Sequence, residues 1–257
     1  MVNYGLIGVE GNHDQAFIGK VLKLLGLKDF RETQGGLRQN LDPFWSKLVP
    51  SYPNHKGELY KRLPMPSILY NENFSVAIYS GEGSNLIRNL EAILMNEGKY
   101  QTDLSSFTII ADADTKSIDE VIQPYIDCFQ KYFPNFPQKA GYVDESGSTA
   151  TGIYVLPDNS SQGTLDRLLC QCGKVAYSEY MDRAEHYLES FTDITWKKFD
   201  YDKALVASIV SVLKPGKTNT ASINDNHWVS HQTQEKVTEL QQLIEFLSKI
   251  LNIKHNH

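Results

Sequence analysis

Apolar residues along this chain come in short runs followed by amphipathic stretches, a rhythm that predicts alternating strands and helices. Residues 2–9 read as a buried strand, after which Phe17, Val21, Leu24 and Leu25 recur at helical spacing up to Gly26. The same β-loop-α unit returns twice. Residues 74–79 alternate as a strand, and Leu86, Ile87, Leu90, Ile93 and Leu94 mark one helix face that stops at Gly98. Residues 107–111 are a continuous apolar strand, and Ser117-Ile118-Asp119-Glu120 has capping-box spacing at the start of a helix running to about Phe133.

Between the first two units, residues 35–70 are rich in Pro, Gly, Asn and aromatics with little periodicity, which predicts an irregular excursion with one short hairpin. Residues 140–143 and 152–156 are strand-like and flank a polar turn, as in a hairpin or an edge pair. From Gly163 onward the pattern is helical. Leu165, Leu168, Leu169, Val175 and Tyr180 serve one or two helices, residues 201–213 another, and Leu240, Leu243, Ile244, Leu247, Ile250 and Leu251 a terminal amphipathic one. Residues 215–235 are polar enough to predict a mobile loop. The alternation as a whole predicts an α/β fold: a mostly parallel sheet with helices on both faces and extra helices at the C-terminal end.

Composition agrees with a folded chain: 41% of the 257 residues are hydrophobic and 22% are charged. No apolar run approaches the ~20 residues that span a bilayer, so no membrane partner is expected. The first residues lack a basic leader, which makes a cytoplasmic location the expectation. Cys128, Cys170 and Cys172 lack the spacing of a zinc site and read as reduced thiols on helices. A net charge of −6 argues against a broad basic nucleic-acid surface.

Two places gather chemistry. Val9-Glu10-Gly11-Asn12-His13-Asp14 closes the first strand, where side chains of an open α/β sheet reach a ligand. Gly11 allows a sharp turn close to a ligand. The plain reading is a solvated Glu10, with Asp14 favouring a helix N-terminus and His13 a surface residue. Asp112-Ala113-Asp114 closes another apolar strand, and two carboxylates at that spacing can converge on one hard cation. Because both motifs follow strands expected to be parallel, their acids should share one edge of the sheet, where like charges repel unless a cation joins them. A turn at Gly81-Glu82-Gly83 could bring backbone N–H groups to a phosphate, although a lone G-x-G is more often a plain turn.

An apolar strand ending in V-E-G-x-x-D and a later one ending in D-x-D resemble the TOPRIM domain of topoisomerases, primases, small recombination proteins and the overcoming-lysogenization-defect nucleases. The resemblance covers residues 1–160, with 35–70 as an insertion in a Rossmann-like core, and leaves 161–257 as a helical extension packed on it. Pro157-Asp158-Asn159, Gly163-Thr164-Leu165-Asp166 and Asp202-Lys203-Ala204 extend the likeness to an uncharacterised family of stand-alone TOPRIM-related proteins. The resemblance implies Glu10 as general acid/base or metal ligand, Asp112 and Asp114 as metal ligands and Asp14 as an auxiliary acid. It places Asp166 where the nucleases carry a longer Glu for a second metal, Asp158 near the same edge, and Lys203 as a cation for phosphoryl transfer.

These readings converge on a Mg²⁺- or Mn²⁺-dependent phosphodiester hydrolase acting on DNA or RNA. The rival is a TOPRIM-like regulatory subunit that binds a partner protein without catalysis of its own, which the acidic net charge favours. A haloacid-dehalogenase-like phosphatase is disfavoured by Lys116 two residues after Asp114, and a nucleotide-sugar transferase leaves the Glu10 motif unexplained. Oligomeric state has no sequence signal.

Overall fold

The computed structural model describes residues 2–33, 40–49 and 65–253. Seven strands form one sheet in the order β2-β3-β4-β1-β5-β7-β6. They are β1 (Asn3–Val9), β2 (Lys28–Asp29), β3 (Ser67–Tyr70), β4 (Phe74–Ser80), β5 (Ser106–Asp112), β6 (Val143–Asp144) and β7 (Ala150–Leu156). The central four, β4-β1-β5-β7, run parallel, while β2, β3 and β6 are antiparallel additions at the edges. This is the expected mostly parallel α/β sheet. Residues 34–39 and 50–64, where part of the irregular excursion and its hairpin were expected, lie outside the described residues; residues 67–70 of that span pair as β3.

Helices cover both faces. Alternate residues of each strand point to opposite sides, so Ile7, Val9, Val76, Ile78, Ile110 and Tyr154 join one apolar cluster and Leu6, Ala77, Phe107, Ile109, Ile153 and Val155 the other. The first cluster is closed by α1 (Asn12–Leu24) together with α6 (Leu165–Ala176), α7 (Ser178–Glu189), α8 (Asp200–Leu213), α9 (Asn219–Asp225) and α11 (Thr238–Ile250), with α10 (His231–Lys236) packed against α6 and α11. The second is closed by α3 (Leu86–Asn96), α4 (Lys99–Thr102) and α5 (Ile118–Phe129), while α2 (Phe30–Thr33) adds Phe30 to it. The helices after residue 161 therefore build, with α1, a whole layer of the fold. None of the described helices is long and apolar enough to cross a membrane.

The expected mobile loop at 215–235 is wrong. It contains α9 and α10, and Trp228 between them is fully buried. The Trp228 indole N–H donates to Ser222 Oγ at 3.1 Å, and its ring meets Tyr177 edge-on. Polar residues misled the sequence reading because several are caps rather than solvent contacts: Thr218 caps α9, and Ser230 with Thr233 forms the capping box of α10. Trp228 is thus structural. All three cysteines are free, buried and helical, as expected.

Strand order determines where a ligand can sit. β1 lies between β4 and β5 and is parallel to both. The chain leaves β1 through α1 on one face, whereas α3 and α5, which lead on from β4 and β5, cover the other. β1 is therefore the point at which the winding reverses, and ligands of open α/β sheets bind outside the carboxyl ends of strands there. The residue immediately after β1 is Glu10.

Candidate functional site

Glu10 is held in a tight turn. Its carbonyl accepts from Gly83 N–H at 2.7 Å, and the carbonyl of Val9 accepts from Gly81 N–H at 2.9 Å, stitching the loop after β4 onto the end of β1. Two of the three N–H groups of this G-x-G turn thus bind protein carbonyls. Gly81 is required for a different reason: a Cβ there would lie 2.3 Å from Leu86 Cα. Gly11 is the N-cap of α1, and its N–H donates to Asp14 Oδ2 at 2.8 Å.

The second motif closes β5. Asp112 is its last residue, and Ala113 N–H reaches Leu156 O at 3.1 Å. Asp114 then adopts a left-handed backbone (φ 48°), an uncommon state that Asp tolerates better than most residues. Its N–H donates to Gly163 O at 2.7 Å, which ties this loop to the approach of α6. The N-cap of α6, Thr164, makes no side-chain cap. Asp112 takes that role from the neighbouring strand, its Oδ1 accepting from Leu165 N–H at 2.9 Å. The N-termini of α1 and α6 both meet the acids, and their partial positive charge offsets some of the repulsion.

Five acids interact here: Glu10, Asp14, Asp112, Asp114 and Asp166. Burial, opposed only in part by the Gly11 N–H, raises Asp14 to about 7, with Glu10 and Asp166 raising it further. Burial also raises Asp112 well above the ordinary carboxylate range, and the charges of Asp14, Glu10 and Asp114 act in the same direction. Glu10 is raised by burial and then by Asp114, against the Asp112 backbone N–H, Lys116 and the Tyr125 hydroxyl. Asp166 is raised by burial and held down by His13 and Lys203. The largest influences on Asp14 and Asp112 are burial, backbone N–H groups and other carboxylates, without a cationic side chain among them.

The structure thus brings Lys203 to the rim through Asp166, but not Asp158. The Asp158 carboxylate turns into its own loop, where Oδ1 accepts from Ser160 N–H at 2.9 Å and Ser161 N–H at 2.6 Å. Asn159 is likewise structural, its Oδ1 accepting from Val155 N–H at 2.8 Å. Sequence reasoning missed Tyr125, a buried α5 residue whose hydroxyl meets Glu10. In sequence it is one more aromatic on an apolar helix face. It also did not place His13 and Lys116 beside the acids.

The donors are hard oxygens, but they do not form a closed shell. Among the described residues no group of three or more His, Cys, Asp or Glu side chains is arranged to hold a metal ion. Two buried oxygens beside the acids lack hydrogen-bond partners: Asn12 Oδ1, between Glu10 and Asp14 in sequence, and Thr164 Oγ1, next to the Leu165 N–H that Asp112 accepts.

A family model described as "Protein of unknown function (DUF3226)" matches residues 4–252. The chain belongs to that family. The match runs through both the sheet and the helices after residue 161. The crystal structure of a hypothetical protein from Pyrococcus horikoshii OT3 is similar over 97% of this chain and 95% of that one, with a TM-score of 0.57 and 16% identity. At that identity the likeness shows the fold. No curated protein matches the chain. Neither description names a TOPRIM domain or a nuclease, so family and fold are what these comparisons establish.

Proposed function

We propose that the protein is a Mg²⁺- or Mn²⁺-dependent phosphodiester hydrolase acting on DNA or RNA through TOPRIM-like carboxylates. The observation that carries this reading is a pair of acids, the buried Asp14 and the half-buried Asp112, whose charges act on each other and on Glu10 at the carboxyl end of the strand where the sheet's winding reverses. Buried carboxylates that repel one another are costly without a compensating charge. The donor set suits a hard divalent ion, since every candidate ligand is an oxygen and two orphaned buried oxygens flank the acids. Mg²⁺ is commonly held by one or two carboxylates, with water and substrate phosphate completing its shell, which suits an open cluster.

One or two of Asp112, Asp114 and Asp14 would hold the ion, with water and substrate phosphate completing its shell, and Asp166 would be the candidate for a second one. A bound divalent ion supplies charge neutralisation for the phosphate and lowers the pKa of attacking water. Glu10, raised above its ordinary range, is suited to accept the proton of that water on its carboxylate. Tyr125 orients Glu10 through its hydroxyl, and Lys203 on the rim contributes positive charge for the phosphate.

The test is cleavage of labelled DNA and RNA oligonucleotides with Mg²⁺, Mn²⁺ or EDTA, alongside a thermal melt. The reading expects metal-dependent cleavage that Asp112→Asn abolishes, and a melting temperature raised by millimolar metal, because an ion that binds only the native state stabilises it. An inert protein whose melt ignores both metals would refute it. The openness of the cluster favours a second reading, a regulatory module that binds a partner chain and does not catalyse. That reading expects a metal-dependent melt without cleavage.

A further inference from the structure

We infer that the segment joining α7 to α8 is an arm that holds unpaired nucleic acid beside the carboxylates. The segment carries Trp196-Lys197-Lys198-Phe199, preceded by the exposed Ile194, which is 44% accessible. Lys197 and Lys198 are exposed, and Trp196 and Phe199 are half-buried. Trp196 packs on one side against the apolar core and meets the Tyr201 ring edge-on at 5.8 Å, which fixes its plane while leaving part of the indole at the surface. Lys198 Nζ sits 5.3 Å from the centroid of the Phe199 ring.

The arm is joined to the site by named contacts. Lys198 Nζ donates to Gln162 Oε1, and Gln162 Nε2 donates to the carbonyl of Thr115 at 2.6 Å. Thr115 directly follows Asp114, so one side chain links the lysine to the loop that carries the D-x-D acids. Lys203, one helical turn past Phe199, acts on Asp166 from the other end of the arm. Phe199 itself has φ 67°, a left-handed backbone that is an outlier for a bulky residue. Such conformations persist where the surroundings over-determine them and concentrate at functional sites.

Aromatic faces interleaved with lysines match the chemistry of a single strand: each base offers a π-face for stacking, and each intervening phosphate offers a charge. A duplex hides those faces. The chain's net charge of −6 leaves local stacking and a few cations, rather than a wide basic field, to hold the strand. The inference rests on the hydrolase reading for what happens to the strand next, while its binding step does not.

The experiment exploits the tryptophans. Trp45 and Trp228 are fully buried, and Trp196 is the third of three, so quenching of tryptophan fluorescence by bases reports on Trp196. A twelve-nucleotide single strand (about the span of one single-strand site) is titrated into wild-type protein in EDTA, with fluorescence anisotropy of a labelled copy read in parallel. Expected are quenching that Trp196→Phe removes, weaker binding of the matching duplex, and at least a tenfold loss of affinity in the Lys197→Gln/Lys198→Gln double variant. The salt slope should fall by about 1.4 in that variant, since each phosphate contact on a single strand contributes about 0.7. Equal or tighter duplex binding without quenching would overturn the inference. So would equal binding of an acidic polypeptide such as poly-glutamate, which would mark a general polyanion surface. Strand binding without metal-dependent cleavage would support the arm and count against the hydrolase, and cleavage of a small phosphodiester without strand binding would do the reverse.

Discussion

Asp112 caps a helix that does not follow it in sequence: its Oδ1 accepts from Leu165 N–H at 2.9 Å, joining the end of β5 to the start of α6. One carboxylate therefore serves both the fold and the proposed chemistry, and the two roles separate by substitution. Asp112→Asn keeps an oxygen for Leu165 and removes a charge from a repelling group. Its metal-free stability should equal or exceed that of wild type, while metal-dependent cleavage disappears. Asp112→Ala loses the cap as well and should cost about 1 kcal/mol relative to Asp112→Asn. Denaturant unfolding in EDTA checks both, and an Asn variant less stable than the Ala variant would contradict the capping role.

Asp14 gives the metal-free protein a pH dependence of definite sign. Its folded pKa is about 7 against an ordinary 3.8, so the folded state keeps a proton that the unfolded chain releases. The contribution to stability is fully present below the unfolded pKa and is lost as pH rises through the folded one. In EDTA the protein should unfold more easily at pH 8 than at pH 5. One pKa unit corresponds to about 1.4 kcal/mol, which puts the difference at a few kcal/mol. Asp14→Asn should make the profile shallower between those pH values, the remaining slope coming from Asp112, Glu10 and Asp166, which are raised as well. A wild-type protein equally stable at both would show that Asp14 is ionised throughout.

Gly81 tests the stitching of the site. Any Cβ at this position meets the Leu86 backbone, which lies at the start of α3 and cannot yield as a flexible side chain would. Gly81→Ala should destabilise by about 2 kcal/mol, in the range of overpacked cores. Because Gly83 N–H holds the Glu10 carbonyl, the same change should also weaken metal-dependent stabilisation. Gly83→Ala separates the effects: nothing lies within 4 Å of its Cβ position, and only its positive φ of 68° is at stake. Its smaller loss should leave the Glu10 turn intact.

What the sequence made legible follows from how each residue is positioned. Glu10 and Asp112 end apolar strands, and a run of buried residues that stops at an acid marks a sheet edge without further information. The parallel pairing of β1 with β5 could be inferred from the repeated β-loop-α pattern. Tyr125 was invisible because helical spacing makes a site-facing aromatic indistinguishable from a core one. Lys198 was invisible because its link to Thr115 runs through Gln162, 36 residues away along the chain. The 215–235 region failed because α9 and α10 span seven and six residues, too short for apolar periodicity to register, and their polar residues act as caps.

Lys203 is the sharpest test of how far the helices after Gly163 belong to the site. It lies in the first turn of α8, exposed, and its charge lowers the pKa of Asp166 across from it on α6. A surface lysine with no other role would be silent when neutralised. Lys203→Met keeps most of the apolar stem and removes the ammonium group, so stability should change by no more than about 0.5 kcal/mol. Asp166 then loses one of the two side chains that lower its pKa, leaving His13, and its pKa should rise. If Lys203 neutralises charge on the phosphate during cleavage, the rate should fall by roughly a hundredfold or more, as when a donor to transition-state charge is removed. A Lys203→Met protein that cleaves at the wild-type rate would reduce this lysine to an electrostatic neighbour of Asp166, with Glu10, Asp112 and Asp114 still in place as the proposed centre.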